Sequence, residues 1–140
     1  MSRNTNTGGV LESMIVPSLV RGGYTPDKQV KVGLRLGGKG RHMVDASAEK
    51  NGEKFLISLK WQQTSGTAEQ KVPYEVMCLA EALLDNPGVF KKAYVVLGGD
   101  GWTLRDFYIS GGLKKFMQGV DGVEVVALER FIAIANKGEL

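Results

Sequence analysis

One cysteine, one histidine and four prolines are all that 140 residues contain of these types. A lone cysteine, Cys78, leaves no partner for an internal disulfide, which fits a reducing, cytoplasmic setting. One cysteine and one histidine are too few for a Cys/His zinc centre. No apolar run reaches the roughly 18 residues of a membrane-spanning helix. The first nine residues are polar and lack the apolar stretch of a secretion signal. They are expected to be disordered, with residues 10–140 forming a single domain. The composition, 43% apolar and 24% charged, is that of an ordinary soluble globular chain.

Net charge is small, at +3, but it is unevenly placed. Residues 1–60 carry ten Lys/Arg against five Asp/Glu, whereas residues 61–140 carry eight against ten. A basic half with an acidic remainder suits a polyanionic partner, although a solvated surface produces the same asymmetry by chance.

Apolar periodicity orders the chain. Val10 to Val20 reads as a short helix that Pro17 ends or kinks. Val30 to Leu36 alternates as a first strand. His42–Lys50 and Glu53–Gln62 read as two strands joined by Asn51-Gly52, the strongest short hairpin signal. A helix comes next, over about Ala68 to Leu84, with Val72, Val76, Leu79 and Leu83 on one stripe. Pro73 fits only in its first turn. Ala93–Leu97 is a short strand, Leu104–Met117 a helix, Val123–Leu128 a strand and Glu129–Asn136 a last helix. The order α-β-β-β-α-β-α-β-α implies an α/β domain with a mixed five-stranded sheet flanked by helices.

The two-residue turn fixes a register. Lys50 faces Glu53, Glu49 faces Lys54, Ala48 faces Phe55, Ser47 faces Leu56, Ala46 faces Ile57, and Asp45 is expected opposite Ser58. One face then carries Val44, Ala46, Ala48, Phe55, Ile57, Leu59 and Trp61, a core. The other carries Asp45, Ser47, Glu49, Lys54, Ser58, Lys60 and Gln62, with Leu56 the exception. Opposed Cβ atoms lie about 5 Å apart, so Asp45, Ser58 and Lys60 cluster near the open end of the hairpin. An amphipathic hairpin with one wet face gives the same pattern. Glu75 lies close to the apolar stripe of the next helix, at the border of core and solvent.

At these residues the chain resembles the PD-(D/E)XK nuclease superfamily, over roughly Val10 to Leu97. The resemblance implies a restriction-endonuclease-like fold, with an Asp on the second strand, (D/E)-x-K on the third and often a Glu on the first helix. Asp45, Lys60 and Glu12 take those places. Val44 replaces the usual Pro, and Ser58 stands at the acid position of Ser58-Leu59-Lys60. A similar subset of restriction enzymes has Ser-x-Lys and supplies the missing carboxylate from the next helix, about fourteen residues after the Lys. Glu75, fifteen residues after Lys60, is close to that spacing, and Glu69 is a second candidate. Glu69-Gln70-Lys71 spells the motif literally but at a helix start. Gln62 is a further polar candidate at the site.

The implied activity is Mg²⁺-dependent hydrolysis of DNA phosphodiesters, with Mn²⁺ as a substitute, by a homodimer. Asp45 with Glu75 or Glu12 would hold the ion through oxygen ligands. Lys60 would sit near the attacking water. The alternative is a non-catalytic DNA-binding module of the same fold. Arg35, Lys39, Arg41 and His42 surround a glycine-rich turn and are the candidate DNA contacts. That turn nearly spells a P-loop, but Gly40 replaces the required Ser/Thr, which excludes a nucleotide cofactor. Gly98-Gly99-Asp100-Gly101-Trp102 reads as a plain turn, or as a substrate loop whose Trp102 stacks on a base.

Overall fold

The computed structural model describes residues 8–34, 36–38 and 40–140. A π-helical turn, Leu11–Ile15, leads into helix α1, Val16–Arg21. The chain continues through β1 (Thr25–Leu34), β2 (Arg41–Lys50), β3 (Glu53–Trp61), α2 (Ala68–Asp85), β4 (Lys92–Gly98), α3 (Arg105–Ile109), β5 (Val123–Ala127) and α4 (Leu128–Asn136). The five strands lie in one sheet in the order β1-β2-β3-β4-β5. The first three pair antiparallel and the last three parallel. This is a mixed α/β sheet flanked by helices, the architecture expected.

Pro17 is accommodated by the widened turn before it. It has no N–H to donate, and the preceding Val16 N–H reaches back five residues to Leu11 O instead of four. β1 begins at Thr25, five residues before the expected Val30, through a stretch with no apolar alternation. An edge strand tolerates Pro26, because it needs no N–H on its open side. The expected helix Leu104–Met117 is broken into α3 and a 3₁₀ turn, Gly112–Lys115. Gly111 adopts φ 85°, a left-handed conformation that ends the helix.

Helices cover both faces of the sheet, so neither hairpin face is wet. On one side α2 and Tyr108 of α3 pack with Leu56, Val95 and Leu97. On the other, α1 and α4 pack with Ala46, Ala48, Phe55, Ile57 and Leu59. Leu56 is thus a core residue of the second layer. Val44 is a correction: it packs with Leu56 and Val72 on the α2 side, not with Ala46. The β1–β2 ladder keeps one register from Thr25–Glu49 to Lys31–Met43 but lacks a Gln29–Asp45 pair, and Val44 and Ala46 flank that gap. Gln29 sits at φ 55°, which interrupts the pleat opposite Asp45.

Phe131 is fully buried against Tyr94 in the α1–α4 layer. Phe131→Ala should lower unfolding free energy by about 3–5 kcal/mol, read from urea denaturation, through loss of apolar burial and the cavity left behind.

Candidate active site

The Asn51-Gly52 turn pairs β2 with β3 in the expected register from Lys50–Glu53 to Ala46–Ile57. The backbone ladder ends there. Beyond it the Asp45 carboxylate accepts the Leu59 N–H at 2.7 Å, so a side chain takes over from a backbone carbonyl as the strands part. From β3, Ser58 and Lys60 point to the same side as Leu56, toward α2. From α2, Glu75 is buried with Val72 and Val76 and meets them.

Lys60 Nζ lies 3.6 Å from Glu75 Oε1, and His42 Nε2 lies 3.9 Å from Glu75 Oε2. The latter separation is an electrostatic approach, too long for a hydrogen bond. His42 is 1% exposed, and its Nε2 has no hydrogen-bond partner. Lys60 keeps about a quarter of its side chain in solvent and forms the mouth of the cluster.

The two carboxylates are pushed apart in acidity. Burial raises Asp45 above the usual aspartate value, and the nearby negative charge of Glu75 adds to this. The Leu59 N–H and the Lys60 ammonium oppose it without cancelling it. Burial also works to raise Glu75. The His42 imidazole, the Lys60 charge and the Ser58 hydroxyl outweigh it and hold that carboxyl at about 2.

The structure therefore brings Asp45, Ser58, Lys60, Glu75 and His42 together. Other expected site residues lie elsewhere or are otherwise engaged. Glu12 is exposed and ion-paired with Lys28, outside this cluster. Gln62 is buried, its amide donating to Gly101 O at 2.8 Å while its Oε1 accepts the Glu69 N–H at 3.3 Å. Gln62 thus ties two segments together. His42, a candidate DNA contact, is buried and faces Glu75. Arg41 is exposed at the start of β2, and Arg35 and Lys39 fall outside the described residues.

Glu69, the second candidate for the missing carboxylate, has its oxygens already taken. They accept the Thr103 N–H, the Thr103 hydroxyl at 2.7 Å and the Leu104 N–H at 2.9 Å. These bonds, the Thr103 hydroxyl first, hold its pKa below the usual glutamate value. The Glu69 carbonyl has a separate need. Pro73 lies inside α2, not in its first turn, and has no N–H for the carbonyl four residues back. Tyr108 Oη donates to it at 2.6 Å instead. Tyr108→Phe should cost about 1–3 kcal/mol by leaving that carbonyl unpaired. The loss should shrink in a Pro73→Ala background, where the helix N–H is restored. A denaturation double-mutant cycle reads the difference. A proline in mid-helix signals that some donor is required, but not which one.

The donor chemistry of the cluster suits a hard divalent cation. Two carboxylates lie within electrostatic reach of a single lysine, and a magnesium ion takes one or two carboxylates and fills its remaining positions with water and phosphate. Among the described residues, no group of three or more His, Cys, Asp or Glu side chains converges as a metal cage. Asp45 and Glu75 are therefore the oxygen donors on offer.

A five-stranded mixed sheet with an aspartate on β2, a lysine on β3 and a helix carboxylate facing them defines a nuclease-like α/β fold. The sequence profile of the PD-(D/E)XK nuclease superfamily domain matches residues 3–139, and the chain belongs to that superfamily. No curated protein matches the chain. Its fold is similar to the crystal structure of a protein of unknown function, AF1548, at 18% identity and a TM-score of 0.51. That similarity covers 81% of this chain and 54% of the other, so the chain spans about half the length of that protein. Among the described residues, no helix is long and apolar enough to cross a membrane.

Proposed function

We propose that this chain is a Mg²⁺-dependent endodeoxyribonuclease with Asp45, Glu75 and Lys60 as its reacting centre. One observation carries the reading: Glu75 arrives from α2 at 3.6 Å from Lys60, on the side of the sheet where Asp45 is held. Ser58 in the acid position therefore does not leave the site one carboxylate short.

Asp45 and Glu75 would hold the divalent ion, which when bound supplies charge neutralisation at the phosphoryl oxygens and a more acidic water. Asp45 is fixed by the Leu59 N–H, so its free oxygen is pre-aimed. Lys60 stands at the solvent mouth, where an ammonium stabilises negative charge developing on a phosphate or attacking oxygen. The Ser58 hydroxyl and the His42 imidazole orient Glu75. Arg41, with Arg35 and Lys39 from the same glycine-rich turn, would neutralise flanking phosphates. The enzyme would act as a homodimer in the cytoplasm, where Cys78 stays reduced.

The test is nicking of supercoiled plasmid by purified protein with Mg²⁺ or Mn²⁺, against an EDTA control. Metal-dependent conversion to open circles is expected. Salt-sensitive DNA binding without strand scission under any metal would favour the non-catalytic module. Absence of DNA binding even at low salt would sink both.

A further inference from the structure

A cleft of about 540 Å³ lies apart from the Asp45–Lys60–Glu75 cluster. It opens beyond the carboxyl ends of β4 and β5, lined by Leu97 and Gly98 of β4 and Leu128 at the start of α4. The two strands are adjacent and parallel, but the chain leaves them in different directions. The segment after β4 leads to Tyr108 and Ile109, which pack on the α2 side. The chain after β5 enters α4, which packs on the α1 side. Parallel sheets hold ligands at such a divergence, because the departing connections leave a crevice between them.

The wall has a definite chemistry. Asp100, Asp106 and Glu129 line it against a single cation, Arg105, which is paired with Glu129 at 3.2 Å. Among the described residues no ion pair engages Asp100 or Asp106. Trp102 also lines the cleft and is pinned by its Nε1 donating to Gly98 O at 2.8 Å. The floor is held as firmly. A Cβ on Gly99 would lie 2.4 Å from Gln62 O, and one on Gly101 would lie 2.5 Å from the Thr64 backbone. The loop is thus locked against the end of β3. A wall with surplus negative charge repels phosphate. An indole beside unpaired carboxylates favours a flat ring that presents N–H donors.

We propose that this cleft is a base pocket for an unstacked guanine of the substrate strand. Guanine is the DNA base whose edge offers two adjacent donors, N1–H and N2–H, to one carboxylate, and Trp102 supplies a stacking surface. The pocket is one strand removed from the reacting centre: Lys60 pairs in register with Leu97, which lines the cleft. Strands lie about 4.8 Å apart, so the base would sit a few nucleotides at most from the scissile phosphate. The assignment of the base to a DNA strand rests on the nuclease reading, but occupancy by guanine does not.

The experiment is titration of guanosine into the full chain in EDTA, monitored by tryptophan fluorescence and calorimetry. Guanosine should bind, inosine more weakly for lack of the N2 amino group, and adenosine and thymidine not detectably. Asp100→Asn and Asp106→Asn, both exposed changes, should weaken at least one of these affinities about tenfold, the usual effect of losing a paired base contact. Lys60→Ala should leave guanosine binding unchanged, which separates failure of this pocket from failure of the nuclease reading. An uncleaved oligonucleotide with one guanine should bind more tightly than its abasic counterpart. Absence of guanosine binding at millimolar concentration, binding indifferent to both aspartates, or preference for spermidine over guanosine overturns the proposal. Tighter binding of guanosine monophosphate than of guanosine overturns the assignment to a strand base.

Discussion

Replacing Lys60 with alanine is expected to reduce plasmid nicking by about 10²- to 10⁴-fold, the range associated with losing a positioned proton-transfer or charge-stabilising group. DNA affinity at low salt should change far less, because one lysine among the basic residues of β1 and β2 contributes a single phosphate contact. The side chain is partly solvated at the mouth of the cluster, so its removal leaves no cavity. Arginine at this position should restore little activity, since its planar fork does not place a compact charge at the same point. Single-turnover nicking beside filter binding separates the two effects. Equal losses in binding and cleavage would make Lys60 a mere phosphate contact.

Glu75→Gln is the second large effect, and it acts in two ways. With metal present, removal of one of two oxygen-donor carboxylates should raise the metal concentration needed for half-maximal nicking by tenfold or more, about 1.4 kcal/mol or greater in ion binding. Without metal, it should change how stability depends on pH. The folded carboxyl titrates at about 2, below its ordinary 4.5. A depressed acid stabilises the fold above the unfolded value, and that contribution fades as pH falls from 4.5 through 2. The shift corresponds to roughly 3 kcal/mol at neutral pH. Asp45 has the opposite sign: its raised value means that ionisation costs stability as pH rises past 3.8. Urea midpoints in EDTA should therefore drop between about pH 5 and pH 2 in the native chain, and more shallowly in Glu75→Gln. An identical acid limb in both proteins would show that Glu75 is not the stabilised acid.

Much of this arrangement is legible from the chain because turn chemistry is local. Asn51-Gly52 sets the β2–β3 register, and that register carries Ser58 and Lys60 to their common side without further information. The apolar stripe of α2 likewise fixes which way Glu75 leans. The illegible parts depend on the other strand of each pair. Val44 and Ala46 face opposite sides of the sheet across the missing Gln29–Asp45 pair, and nothing in the β2 sequence announces it. The start of β1 is invisible for a similar reason, since an edge strand can be polar throughout. His42 reads both as a phosphate contact beside a glycine-rich turn and, two residues before Val44, as a side chain on the apolar side of its strand. It lies inside, 3.9 Å from the Glu75 carboxylate. Gln62 and Glu69 read as candidate site residues, and the partners that engage them, Gly101, Thr103 and Leu104, lie more than thirty residues away.

The 2.7 Å bond from Leu59 N–H to Asp45 has an evolutionary corollary. Because the acid substitutes for a missing carbonyl where two strands separate, selection for a well-formed sheet retains it independently of any hydrolysis. A descendant that had abandoned cleavage would be under pressure to preserve this aspartate while losing Lys60 freely. Among homologous chains, the lysine is accordingly the better marker of a working enzyme.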